Sequence, residues 1–138
     1  MTVAITDEGT GYLAVDITGV ASTAAAGQGY IANPFGCSVH VLTAHLLVKT
    51  QATLAGTIAI GVGATAATSA ADIWVATAMN TQTEGSVYNC FGTYDSAVTK
   101  IPTAVWTSTT FLTFSGAAFS LAGFTGTLFL EIVRTPAA

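Results

Sequence analysis

The stretch Cys37–Gly63, CSVHVLTAHLLVKTQATLAGTIAIGVG, decides the fold. Its first run, Ser38–Thr50, lacks Gly and Pro and is rich in β-branched residues, which is typical of a strand. At about 3.3 Å per residue, this strand spans roughly 40 Å. A short connection leads to a second strand ending at Gly63, and we interpret the two strands as a hairpin. In the second strand large and small side chains alternate. We expect the face with the small side chains to lie close to another part of the chain.

The apolar pattern of the first run changes phase in its middle. Val39 and Val41 are apolar at odd positions, whereas Leu42 and Ala44 continue the pattern at even positions. A shift of one residue reverses the face that a strand buries. The sequence therefore predicts a β-bulge or a crossing between sheets near Val41 and Leu42.

The composition indicates one domain with few charges. Of the 138 residues, 51% are hydrophobic and 7% are charged, against about a quarter charged in typical domains. Such a chain is too apolar to be disordered. We interpret the neutral surface as one that is buried against other subunits, because free monomers usually carry more charge.

Charge and hydropathy argue against two classes of partner. The net charge is −4 and the basic residues are Lys49, Lys100 and Arg134, which argues strongly against nucleic-acid binding through phosphates. No run of about 18 residues is apolar without polar interruptions, so we expect no membrane span. Asp7 and Glu8 lie where a signal peptide would be basic, so we expect a protein assembled in the cytoplasm.

The chain carries few groups suited to chemistry. Cys37 and Cys90 fit neither a metal-ligand spacing nor a disulfide framework; they are interpreted as reduced thiols, with a single bridge as the alternative. His40 and His45 are roughly 16 Å apart on an extended strand, too far to share a metal ion. We therefore predict a protein that is not an enzyme and that has no cofactor and no metal.

Two further sites stay open as alternatives. Asp72, Glu84 and Asp95 of the irregular stretch 64–102 are possible hydrolase carboxylates, although loop acids in solvent explain them more simply. A second group of side chains, all aromatic, either forms a sugar platform or belongs to a core or an interface: Trp74, Tyr88, Phe91, Tyr94 and Trp106.

Short alternating runs and turn signals predict an all-β protein, an antiparallel β-sandwich or jelly roll of about eight strands. Residues 1–29 are interpreted as an N-terminal arm, and residues 30–138 as the β-sandwich domain. The arm contains Leu13, Val15 and Ile17, which must be buried, either against a neighbouring subunit or in their own sandwich. The last strand is apolar on both faces, so Phe129 and Val133 are predicted at a subunit interface.

Several segments together suggest a family. They are Pro34-Phe35-Gly36, the ending VKT at 48–50, GTIAIGVG at 56–63, TSAADIW at 68–74 and GTLFLEIV at 126–133. In this order they resemble small β-sandwich proteins of tailed-bacteriophage virions, especially capsid decoration (cement) proteins. The resemblance implies a homotrimer that binds the major capsid protein on the outer capsid surface and stabilises the shell. It also implies that the arm reaches the capsid or a neighbour, and that there is no catalytic residue.

Two alternatives to a decoration protein remain. One is a tail or fibre component of the same particle. The other is a carbohydrate-binding receptor module that uses Trp74, Tyr88 and Tyr94.

Overall fold

The computed structural model describes residues 1–8, 11–21, 27–90, 105–117 and 120–135. These residues form ten strands and no helix, so the all-β prediction is confirmed, with ten strands rather than eight. The strands are β1 Thr2–Glu8, β2 Tyr12–Thr18, β3 Gly27–Ala32, β4 Ser38–Thr50, β5 Thr57–Gly63, β6 Trp74–Ala78, β7 Val87–Asn89, β8 Val105–Trp106, β9 Phe111–Ala117 and β10 Thr125–Thr135.

The strands form two antiparallel sheets that pack against each other like a sandwich. The six-stranded sheet has the order β1-β2-β10-β4-β7, with β8 also paired to β4, and the four-stranded sheet has the order β3-β9-β5-β6. Leu46 and Leu128 of the first sheet and Ile58 and Phe114 of the second belong to one buried cluster. The core therefore lies between the sheets.

β4 matches its predicted bounds, and the predicted bulge is present. Glu131 of β10 lies opposite Thr43, but the next residue, Ile132, lies opposite Val41, so Leu42 is the extra residue of β4. Because of this insertion, Val41 and Ala44 are both fully buried while Leu42 is exposed. The change of apolar phase is therefore the sequence signature of the bulge.

The small face of β5 lies under the chain that follows it, as expected. A Cβ on Gly63 would lie 2.6 Å from the Cβ of Thr68, so this backbone approach leaves no room for a side chain. The Asp72 carboxylate accepts hydrogen bonds from the backbone N–H of Val62 at 3.2 and 3.3 Å, and Ser69 donates to Ser115 at 3.1 Å. Residues 64–72 therefore cover the outer side of the four-stranded sheet.

The predicted hairpin of β4 and β5 is wrong, because two connections of the chain cross between the sheets. β4 and β5 belong to different sheets, and so do β9 and β10, whose connection contains Gly123 and Phe124. Asn33–Gly36 forms a turn: the Phe35 N–H donates to the Asn33 side chain at 2.8 Å, and Gly36 has a φ of 69°.

The segment Gly11–Val20 contains an interior strand of its own sheet. β2 pairs with β1 on one side and with β10 on the other. Its side chains Leu13, Val15 and Ile17 are fully buried in the shared core. This is the placement expected for an ordinary strand of its own sandwich, the alternative to an arm that packs against a neighbouring subunit. The tether expected at Ala21–Gly29 falls largely on residues 22–26, which lie outside the described residues.

We expect that removing residues 1–20 abolishes cooperative thermal unfolding. The deletion takes away three buried aliphatic side chains, each contributing about 1.5–3 kcal/mol, from a domain whose total stability is about 5–15 kcal/mol. Removing only residues 1–8 is the matched control, because it deletes the edge strand β1 and should lower the melting temperature of a still cooperative transition. Circular dichroism melts of both variants provide the measurement. A cooperative melt of the longer deletion would contradict the interior position of β2.

We also expect Gly61→Ala to destabilise the fold by about 1–3 kcal/mol, the usual cost of overpacking. A Cβ on Gly61 would clash with the Asp72 carboxylate and would lie 2.8 Å from the Ala70 carbonyl carbon. Gly11→Ala is the matched control, since the nearest atom to its Cβ would be the Ile132 carbonyl oxygen at 3.8 Å. Urea unfolding of the two variants measures the difference, and equal midpoints would refute the close approach at Gly61.

Candidate interaction surface

The solvent side of the six-stranded sheet is the candidate functional surface. Cross-strand partners share a face, and they define its rows. Phe129 lies between Ala14 of β2 and His45 of β4, and His45 in turn lies opposite Asn89 of β7. Parallel rows complete the surface, which we call the outer face: Asp16–Thr127–Leu47–Val87, Tyr12–Glu131–Thr43 and Val133–His40–Val105.

Large apolar side chains are concentrated on the outer face. Eight large hydrophobic residues of the described chain are exposed, and six of them belong to this sheet: Tyr12, Leu42, Val87, Val105, Phe129 and Val133. The remaining two, Tyr30 and Leu54, lie on β3 and on the connection after β4. Single exposed apolar residues are ordinary, but a group on one face indicates an interaction site.

The charged groups of the outer face have partners within the chain. Lys49 forms an ion pair with Asp16 at 3.5 Å, and Thr127 donates a hydrogen bond to the same Asp16 oxygen at 2.7 Å. Thr43 donates to Glu131 at 3.3 Å. The side chain of Phe129 is therefore flanked by polar groups that already have partners, and of these groups Glu131 keeps a charge that no ion pair within the described residues balances.

The predicted interface residues fall into two groups. Phe129 and Val133 project from β10 onto the outer face and are about half exposed, so a second chain can reach them. Leu13, Val15 and Ile17 have essentially no exposed surface and pack in the core.

Sequence reasoning missed Tyr12, Val87 and Val105 as members of the outer face. Tyr12 has a detectable signal, because it alternates with the buried Leu13. Val87 and Val105 lie in strands of three and two residues, which are too short to show a period.

Both histidines lie on the outer face. His40 is exposed and pairs across strands with Val133, while His45 is half-buried and pairs with Phe129. Among the described residues, no group of three or more His, Cys, Asp or Glu side chains could hold a metal ion. The described ranges also enclose no pocket and include no helix that could cross a membrane.

Two of the three carboxylates considered as hydrolase residues have structural roles. Asp72 binds the Val62 N–H, and Glu84 accepts a hydrogen bond from the Gln51 N–H at 2.9 Å. Both side chains stabilise loops through these bonds. Asp95 lies outside the described residues.

The tryptophans form part of the core and not of a sugar platform. Trp74 and Trp106 are both fully buried. Tyr88 packs edge-on against Trp74 with ring centroids 6.1 Å apart, and its hydroxyl accepts a hydrogen bond from the Thr83 N–H. Phe91 and Tyr94 lie outside the described residues. A sugar ring needs an exposed aromatic face, and neither tryptophan provides one.

Both cysteines are free, in agreement with the interpretation as reduced thiols. Cys37 is half-buried and Cys90 is buried in the core. Burial raises the pKa of the Cys90 thiol to about 12, although hydrogen bonds with the backbone oppose the shift. Since the thiolate is the reactive form, Cys90 is chemically inert in the folded protein.

We therefore expect a thiol reagent to modify Cys90 only after unfolding. The test uses the variant Cys37→Ser, in which Cys90 is the one thiol left to react. Because the pKa is raised in the folded state, this group stabilises the fold fully below pH 9, the unfolded value, and its contribution is lost as the pH rises towards about 12. Mass spectrometry of labelled native and denatured Cys37→Ser protein measures the accessibility. Rapid native labelling would contradict the burial of Cys90.

The chain was compared with protein-family models, with curated proteins and with solved structures. No family model, no curated protein and no solved structure matches it. The function is therefore inferred from the residues of this chain and their arrangement.

Proposed function

We propose that the protein is a non-enzymatic structural component of a virion, a capsid decoration protein that binds the outer capsid surface as a homotrimer and stabilises the shell. Its partners in this proposal are its own copies and the major capsid protein. Its place is the capsid surface, after assembly in the host cytoplasm.

The observation that carries the proposal is the strand order, which supports a jelly roll. β2, β10, β4 and β7 lie side by side in one sheet, and β3, β9, β5 and β6 do so in the other. Successive strands therefore alternate between sheets, except that β5 and β6 are neighbours. This order of eight strands in two sheets supports a jelly roll, with β1 and β8 as additions. Jelly rolls are typical of viral capsid proteins, lectins and cupins.

The surfaces favour a structural protein among these classes. The aromatic group considered as a sugar platform does not form one, because both of its tryptophans are in the core. The outer face instead offers Tyr12, Phe129 and Val133, residues of the kinds that protein partners bury. With 7% charged residues, the surface suits burial against other protein.

Trimer formation explains how a weak contact can stabilise a capsid. Each subunit of a small protein offers a limited contact area to the shell. Three linked subunits engage three sites together, and their combined affinity exceeds that of one subunit by a factor of about 10²–10⁴. Stabilisation then follows because the trimer joins neighbouring capsid subunits.

We expect the purified protein to be a homotrimer at micromolar concentration and to raise the disruption temperature of capsids that lack it. Multi-angle light scattering measures the first property, and thermal disruption of capsids with and without added protein measures the second. A stable monomer that does not bind capsids would refute the proposal. Electron microscopy of the particle tests the tail or fibre alternative, in which density for the protein would lie away from the shell.

A further inference from the structure

We propose that the outer face is the contact between copies of this chain, so that a second copy covers it and the capsid is bound elsewhere. This inference rests on the proposed homo-oligomer and identifies the surface that forms it. It is carried by the extent, the side chains and the charge of the outer face, and by the form of the sheet edges.

The outer face has the extent that a stable protein contact needs. Five strands lie side by side across the sheet, and β2 contributes seven residues along it. At about 4.8 Å between strands and about 3.3 Å per residue, the flat area is roughly 550 Å². Because side chains project from the sheet, the accessible area is larger than this flat area and approaches the roughly 800 Å² per partner of a specific interface.

The side chains of the outer face are arranged like a binding centre. Phe129, 43% exposed, is in the middle of the sheet, between Ala14 and His45. Along β10, Glu131 lies between Phe129 and Val133, and Asp16 lies in the row on the other side of Phe129. Tyr12 is the cross-strand partner of Glu131. Exposed aromatic residues near the centre of a contact commonly supply much of its binding energy.

Charge favours a copy of the same chain as the partner. Each chain has a net charge of −4, so two copies repel each other unless they meet where the charge is lowest. Asp16 is paired with Lys49 on the outer face, which leaves Glu131 as the unbalanced carboxylate of the rows defined above. Because this face carries little charge besides Glu131, a second copy of the chain can cover it without a basic surface.

The form of the strands directs association to the face instead of the edges. The edge strand β1 has a register irregularity between Ile5 and Asp7, and the opposite edge consists of β7 and β8, with three and two residues. Irregular and short edges resist the addition of another strand. Within a closed trimer each copy contributes two different patches, so the outer face of one copy meets a different surface of the next copy.

The test compares Phe129→Glu with Tyr30→Glu as a matched control. Tyr30 is an aromatic residue of similar exposure, 54%, but it belongs to β3 of the other sheet. We expect Phe129→Glu to weaken self-association by at least about thirtyfold, the effect of losing a central interface residue. Tyr30→Glu should associate like the wild type. Sedimentation velocity over a concentration series measures association, and circular dichroism melts verify that both variants fold.

Hydroxyl-radical footprinting of the wild-type chain gives a second measurement that needs no folded variant. Raising the concentration through the association range should protect the Tyr12 and Phe129 side chains but leave Tyr30 unchanged. Equal protection of all three, or protection of Tyr30 alone, would overturn the assignment.

The outcomes separate this inference from the proposed function. A wild-type chain that stays monomeric overturns both the homotrimer and the contact. An oligomer that Phe129→Glu does not weaken overturns only the assignment to the outer face. An oligomeric Phe129→Glu protein that no longer binds capsids would assign the outer face to the capsid and overturn the inference.

Discussion

The pairing of β4 with β10 is the interaction on which the rest of the structure depends. These two longest strands pair along their shared length, from Thr50 opposite Thr125 to Ser38 opposite Thr135. β2 pairs on the free side of β10, and β7 and β8 pair on the free side of β4. A slip by one residue would exchange the inner and outer sides of both strands. The core and the candidate interface are therefore set by one register, which the extra residue Leu42 adjusts.

The two sheets differ in what lies over their solvent sides. Over the four-stranded sheet the chain supplies its own cover, and the residues beneath it are small, as at Ala59, Gly61 and Gly63, which lets the backbone of 64–72 approach. On the six-stranded sheet the equivalent positions of β10 are large, as at Phe129 and Val133. Small residues fit a cover that is always present, whereas large exposed residues fit a partner that arrives after folding. This contrast supports the interpretation of the outer face as a site for another chain.

The sequence allowed β4 and its bulge to be predicted, because the apolar phase of a long strand records which side is buried. It did not reveal the partner of Gly11–Val20, since the buried Leu13, Val15 and Ile17 look the same whether they pack in their own core or against a neighbour.

The crossing between β4 and β5 was also missed, because proximity along the chain favours a hairpin and the sheet assignment depends on tertiary packing. Phe129 and Val133 could be found as candidates from the two-sided apolar strand. The rest of the outer face depends on cross-strand register, which one strand does not show.

The low charge of the chain makes the shape of its strands important for how it associates. Charges on edge strands commonly prevent uncontrolled pairing, but this chain has few of them. Irregular register takes over that role: β1 is irregular at Ile5 and Asp7, and β3 at Gly27 and Gly29. β7 and β8 are too short to offer a regular edge. A large exposed apolar patch on a monomer leads to aggregation unless a defined partner closes it. With open-ended strand addition disfavoured at these edges, a closed contact through the outer face is the form of association that both the edges and the apolar side chains favour.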